Sequence, residues 1–196
     1  MEEFQTKFWN SFWKVCQLEF QNVSFAYFLI LSLIGAILVH ITCLIYVRVK
    51  KRSIHLSTEL LIILLLSYLI LIANVTILNR EAGSQLRVFD TKWLWINDSM
   101  DQNMTNLLNI LLFIPLGALL AGIQVYSSYR MRILMTVSYC FLTSIVIECV
   151  QYISRRGYCE IDDIEANVLG GLIGSLLVNL CSWIGSIIHK KLEVKT

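Results

Sequence analysis

The 196-residue sequence predicts an all-α fold, a polytopic membrane helical bundle with about five transmembrane helices plus an N-terminal interfacial amphipathic helix. Three observations predict it. Hydrophobic residues make up 57% of the chain and charged residues only 15%, where a soluble domain carries about 25% charged residues. Mean hydropathy is +0.67. The charges are also gathered into short clusters, separated by runs long enough to cross a hydrocarbon core of about 30 Å. One proline and nine glycines set aside disordered and collagen-like compositions, and nothing points to nucleic acid. A net charge of +2 is too balanced to name a partner; the positions of the charges carry the information.

The elements follow from the charge-free intervals. None of Asp, Glu, Lys or Arg occurs in Phe20 through Val47, Leu60 through Asn79, Gln102 through Tyr129 or Ala166 through His189, and Ile133 through Ser154 is broken only by Glu148. A bilayer offers no water to backbone groups, so such runs must be helical. The expected spans are 24–47, 59–79, 106–127, 133–153 and 166–188. Ahead of them, Phe4, Phe8, Phe12, Cys16 and Phe20 recur every fourth residue beside Trp9 and Trp13. This stripe suits a helix lying in the membrane interface or packed on the bundle. Glu2, Glu3 and Glu19, with no small-residue cleavage site, argue against a removable signal peptide. The chain thus divides into an amphipathic segment (1–23), a first span with a basic loop (24–58), a membrane domain (59–189) and a basic tail (190–196).

Lysine and arginine in short loops set orientation. Arg48, Lys50, Lys51 and Arg52, then Arg130 and Arg132, then Lys190, Lys191 and Lys195 fall on one side of a five-span chain, which is therefore expected to be cytoplasmic. The N-terminus is then outside, and Trp93 and Trp95 fall near the outer interface. Of six cysteines, only Cys16 and Cys159 fall outside the spans, where one disulfide is conceivable. No CxxC or HxxxH spacing occurs, so neither a metal nor a cofactor is expected.

The informative residues are polar ones inside the spans, which are costly there and commonly mark function. Glu148 lies in the outer third of its helix, with Gln151 and Arg155 following at i+3 and i+7. The last span opens with Asp163 and Asn167 one turn apart, then Gly170, Gly171 and Gly174, whose small-xxx-small spacing admits a close helix neighbour. The third span opens with Asn106 and Asn109. Its Phe113 continues the Asn109 face, and Pro115 leaves the Leu111 carbonyl without its helical donor. Arg80 closes the second span. These groups fall at one depth, on the side opposite the basic loops, and predict a polar pocket there. Each amide taken alone also fits a simple hydrogen bond between helices.

The motifs carry a resemblance. Asn109-Ile-Leu-Leu-Phe113-Ile-Pro115-Leu-Gly117, Glu148-Cys-Val-Gln151 and Asp163-Ile-Glu-Ala-Asn167-Val-Leu-Gly170-Gly171 resemble, in order and spacing, the conserved segments of the VanZ-like family. Glu160 stands where that pattern commonly has Asp. The resemblance covers roughly residues 60–180. It implies a bacterial cytoplasmic membrane, a role in the cell envelope and a link to resistance against glycopeptide antibiotics, notably teicoplanin.

Two mechanisms follow. In the first, Arg80, Asn109, Glu148, Gln151, Arg155, Asp163 and Asn167 bind the headgroup of a membrane lipid, a lipid-linked precursor or the lipidated glycopeptide itself. In the second, Glu148 and Asp163 are catalytic carboxylates acting on such a headgroup. No nucleophile elbow accompanies them, and the absence of a repeat or a mid-membrane charge weighs against a transporter.

Overall fold

The computed structural model describes residues 2–21, 23–51, 54–78, 80, 89–90, 99–124, 126–156 and 159–193. Helices α1 (Glu2–Phe20), α2 (Phe25–Lys50), α3 (Leu56–Ala73), α4 (Met100–Ile123), α5 (Tyr129–Ser154) and α6 (Ile161–Glu193) account for almost all of them. The final turn of α3 widens into a π-helical segment, Asn74–Leu78. Two short strands, β1 (Phe89–Asp90) and β2 (Cys159–Glu160), pair in parallel with Phe89 opposite Cys159. Five helices, Phe25–Lys50, Leu56–Leu78, Met100–Ile123, Tyr129–Ser154 and Ile161–Ile188, are long and apolar enough to span a membrane. Trp93, Trp95, Arg52 and Lys195 lie outside the described residues.

The helices outrun the apolar intervals at several ends. The third span starts at Met100 rather than 106 and the fifth at Ile161 rather than 166. Hydropathy locates the hydrocarbon crossing, but a helix needs polar turns beyond it to satisfy its first N–H groups. Those extra turns carry Gln102, Asn103, Asp162 and Asp163. Elsewhere the ends follow local chemistry. Ser24 and Ser128 cap α2 and α5, each accepting a backbone N–H at 3.4 Å, as short hydroxyl side chains do.

The core is built on α4 and α6. Ile72, Phe113, Leu116, Cys140 and Ile147, from α3, α4 and α5, form a buried cluster, and the most extensive helix contact is that of α4 with the N-terminal half of α6. Glycines make this possible. A methyl group on Gly170 would sit 2.3 Å from the Ile110 carbonyl oxygen, one on Gly174 2.1 Å from that of Ile114, and one on Gly117 2.2 Å from that of Gly171. The four-residue advance is the same on both helices, so small residues meet carbonyls turn by turn. By contrast α2 touches mainly α3 and buries only Gly35 and Cys43, which leaves most of its surface for lipid.

Helix α1 packs on the bundle with part of its surface only. Its shielded residues are Phe8, Ser11, Phe12, Val15, Cys16 and Glu19, a 3.6-residue pattern. Phe4 and Phe20, the ends of the expected stripe, are 63% and 47% exposed. A strict four-residue spacing drifts about 40° per step around an α-helix, so the stripe cannot stay on one face. Trp9 and Trp13 remain exposed beside it, as an interfacial helix requires. Lys14 pairs with Asp101 of α4, and Glu19 accepts from Arg80 at 3.2 Å.

Arg132 behaves differently from a loop charge. It is 2% exposed and donates to Asn179 Oδ1 at 3.0 Å and Ser182 Oγ at 3.3 Å on α6. Among the basic residues on which the expected orientation rests, it is spent on helix packing rather than on solvent.

Candidate functional site

The end of α3, the start of α4, the end of α5 and the start of α6 meet at one end of the bundle, with α1 laid against them. Polar groups knit them together. Gln102 Nε2 donates to Glu160 Oε2 at 3.0 Å, Asn106 Nδ2 to Asp162 Oδ2 at 3.4 Å and Asn109 Nδ2 to Asp163 Oδ1 at 2.7 Å. This ladder of amide donors on α4 and carboxylate acceptors at the head of α6 fixes the register of the two helices.

Glu148 comes in from α5. It is 2% exposed, and its Oε2 accepts the backbone N–H of Glu160 at 3.2 Å. The first N–H groups of a helix lack intrahelical acceptors, so Glu148 also anchors the entry into α6. Gln151, one turn on, donates from Nε2 to the Thr76 carbonyl at 2.9 Å. Thr76 lies in the π-helical segment, whose wider winding leaves carbonyls open to outside donors. Arg156 donates to two more of them, from Ile77 and Leu78, at 3.0 and 3.1 Å, and to the Arg80 carbonyl beyond the segment at 3.0 Å. Gln151 of α5 and Arg156 just beyond its end thereby finish the last turn of α3.

Between these elements lies a cavity of about 280 Å³. Six of the seven residues expected to bind line it: Arg80, Asn109, Glu148, Gln151, Asp163 and Asn167. Arg155 does not. Helix α5 stops at Ser154, and Arg155 adopts a left-handed conformation (φ 56°) with its side chain exposed. The helical count that put Arg155 on the Glu148 face assumes one more residue of helix than exists. The Arg156 N–H returns to the Gln151 carbonyl at 3.0 Å, closing the terminus in the usual left-handed manner.

Other lining residues carry no comparable sequence signal. Tyr68 sits in the apolar run of α3 and donates its hydroxyl to the Leu112 carbonyl at 2.7 Å. Leu112 adjoins Leu111, whose carbonyl Pro115 deprives of its helical donor, so the hydroxyl bonds a carbonyl in the same turn. Glu19 arrives from α1 and holds Arg80 from the far side. Ser144 supports Asn167 by accepting from its Nδ2 at 2.8 Å. The remaining wall is apolar, with Leu71, Val75, Leu108 and Ile147 along its length and half-exposed Phe20 and Leu111 at the surface.

The structural residues of the motifs do separate work. Phe113 is completely buried in the core, and Gly117, Gly170, Gly171 and Gly174 sit at helix contacts.

The carboxylates of Glu160, Asp162 and Asp163 lie within 4.8 Å of one another. Oxygen donors of this kind suit hard divalent cations, but each of the three already accepts an amide N–H. The cysteines are free. Burial raises the thiol pKa of both Cys16 and Cys159, and at Cys159 the neighbouring carboxylates add to the effect. This depletes the thiolate that disulfide chemistry needs.

No curated protein and no solved structure matches the chain. A family model described as VanZ/LLP1 matches residues 60–182, a stretch that holds α4 and α5, nearly all of α3, most of α6 and every polar residue of the cavity except Glu19. Five apolar helices and this match make the chain a multi-pass membrane protein that belongs to the VanZ/LLP1 family.

Proposed function

We propose that this protein, a member of a family linked to teicoplanin resistance, is a binding module for the polar headgroup of an amphiphile. The ligand is a membrane lipid, a lipid-linked envelope precursor or a lipidated glycopeptide. One observation carries the reading: a single cavity is polar where four helices meet and apolar towards the half-exposed Phe20 and Leu111. A headgroup would occupy the polar end while acyl chains leave along the apolar wall. Arginine suits a phosphate or carboxylate through its forked donors, and Arg80, paired on one side with Glu19, lines the cavity.

The proposed orientation has the N-terminus outside and the C-terminus in the cytoplasm, so the cavity opens towards the outer leaflet. Arg48, Lys50, Lys51 and Arg130, at the opposite ends of the helices, support it. A reporter active only in the cytoplasm, fused to the C-terminus, should be active.

Native mass spectrometry of the purified protein tests the binding itself. The wild type should retain an amphiphile from a membrane extract, and an Asn167→Leu variant of equal thermal stability should lose most of it. Equal retention by both would count against the cavity as the binding site.

A second reading rests on Glu148 and Asp163 lining the same cavity, the arrangement that paired acid–base chemistry uses. Incubation with membrane lipids and envelope precursors would then yield a modified headgroup, and Glu148→Gln would stop it.

A further inference from the structure

Polarity in the cavity is not evenly divided between donors and acceptors. The two buried amides turn their nitrogens into the protein: Gln151 Nε2 donates to the Thr76 carbonyl, and Asn167 Nδ2 to Ser144 Oγ. Their oxygens have no such partner. Gln151 Oε1 and Asn167 Oδ1 are both buried without a protein donor, on residues only 3% and 4% exposed. A buried acceptor left unpaired costs the full desolvation of that group, and buried polar groups are overwhelmingly satisfied. Since both residues line the cavity beside Glu148 and Asp163, the missing donors are most simply those of the occupant.

Charge selects among possible donors. The lining holds three carboxylates, Glu19, Glu148 and Asp163, against the one guanidinium of Arg80, which already pairs with Glu19 at 3.2 Å. An anionic group is repelled by the remaining two carboxylates, and a hydroxyl offers them a single donor and leaves their charge uncompensated. A primary ammonium has three donors, no acceptor and a full positive charge, and its bonds to carboxylates are of the stronger, charge-assisted kind.

We infer that the floor of the cavity, formed by Glu148, Gln151, Asp163 and Asn167, takes the primary ammonium of an aminolipid headgroup. The inference rests on the headgroup-binding reading above and narrows it to one chemical class. Acyl chains of the same molecule follow the apolar wall.

Competition in native mass spectrometry tests it, with the full-length protein in detergent. The probes are phosphatidylethanolamine, its N-acetylated derivative and phosphatidylglycerol, all with the same acyl chains. Phosphatidylethanolamine should be retained about tenfold over either competitor, a preference of about 1.4 kcal/mol. Asp163→Asn should narrow that preference while leaving some lipid bound. Equal retention of the N-acetylated lipid would overturn the ammonium assignment and leave the headgroup reading standing. Retention of none of the three would overturn the aminolipid assignment, while the headgroup reading itself falls only if nothing is retained from the membrane extract either. A preference that disappears with a chelator would give the acidic floor to a metal ion instead, and would also overturn the inference. The wild-type comparison decides the matter even if the variant does not fold.

Discussion

Glu148→Gln is expected to abolish amphiphile retention, by on the order of tenfold or more, while leaving the bundle folded. Glu148 does two things at once. It accepts the Glu160 N–H at the entry to α6, and it supplies a carboxylate to the cavity. Glutamine keeps a carbonyl oxygen at nearly the same place, so the backbone bond survives and the stability change should stay within about 1 kcal/mol. The charge does not survive. Glu148→Ala removes both, leaves the Glu160 N–H without this acceptor, and should lower the melting temperature as well. Melting curves and lipid retention measured on both variants separate the two roles. If Glu148→Gln binds as the wild type does, Glu148 is only a helix anchor. Any antibiotic-tolerance phenotype of the wild type should follow the binding loss.

Gly174→Ala should be the most damaging single methyl in the molecule. The added carbon would sit 2.1 Å from the Ile114 carbonyl oxygen and 2.7 Å from the Ala118 nitrogen. Both are backbone atoms of α4, so no side chain can swing aside, and the two helices must separate. Overpacking of a tight core costs about 1–3 kcal/mol, and a clash with backbone belongs at the upper end. Separation would also stretch the bonds from Asn106 to Asp162 and from Asn109 to Asp163, so binding should weaken together with stability. Gly185→Ala is the matched control. It lies on the same helix with nothing within 4 Å of the added methyl, and should be neutral or more stable by up to about 1 kcal/mol. Thermal unfolding in detergent distinguishes them. Equal melting temperatures for the two variants would mean that α4 and α6 do not meet as described.

What could be read from sequence divides along physical lines. Spans are legible because ionisable groups are excluded from hydrocarbon, and the gaps around Glu148 and from Ala166 onward mark α5 and α6 directly. Their ends are not, because Gln102 and Asp162 look like loop residues to a hydropathy argument although they belong to helical turns. Asn109, Glu148, Gln151, Asp163 and Asn167 stand out as polar residues in apolar surroundings, and their common depth follows from span counting. Partners are another matter. Nothing in the run around Tyr68 indicates that its hydroxyl reaches Leu112, and nothing in the α1 stripe indicates that Glu19 meets Arg80 across 61 residues. Arg155 shows the limit of periodicity. It has the right spacing from Glu148, but the chain leaves the helix at that residue. Its neighbour Arg156 takes up the exposed carbonyls of the π-helical turn.

The most direct test of the cavity as a headgroup site is photo-crosslinking. A phosphatidylethanolamine with a diazirine near the top of one acyl chain would be irradiated with the protein, and the labelled residues mapped by mass spectrometry. Labelling should concentrate on Leu71, Leu108 and Leu111, which line the apolar wall. Label spread along the lipid-facing surface of α2, with none on those three leucines, would contradict the account.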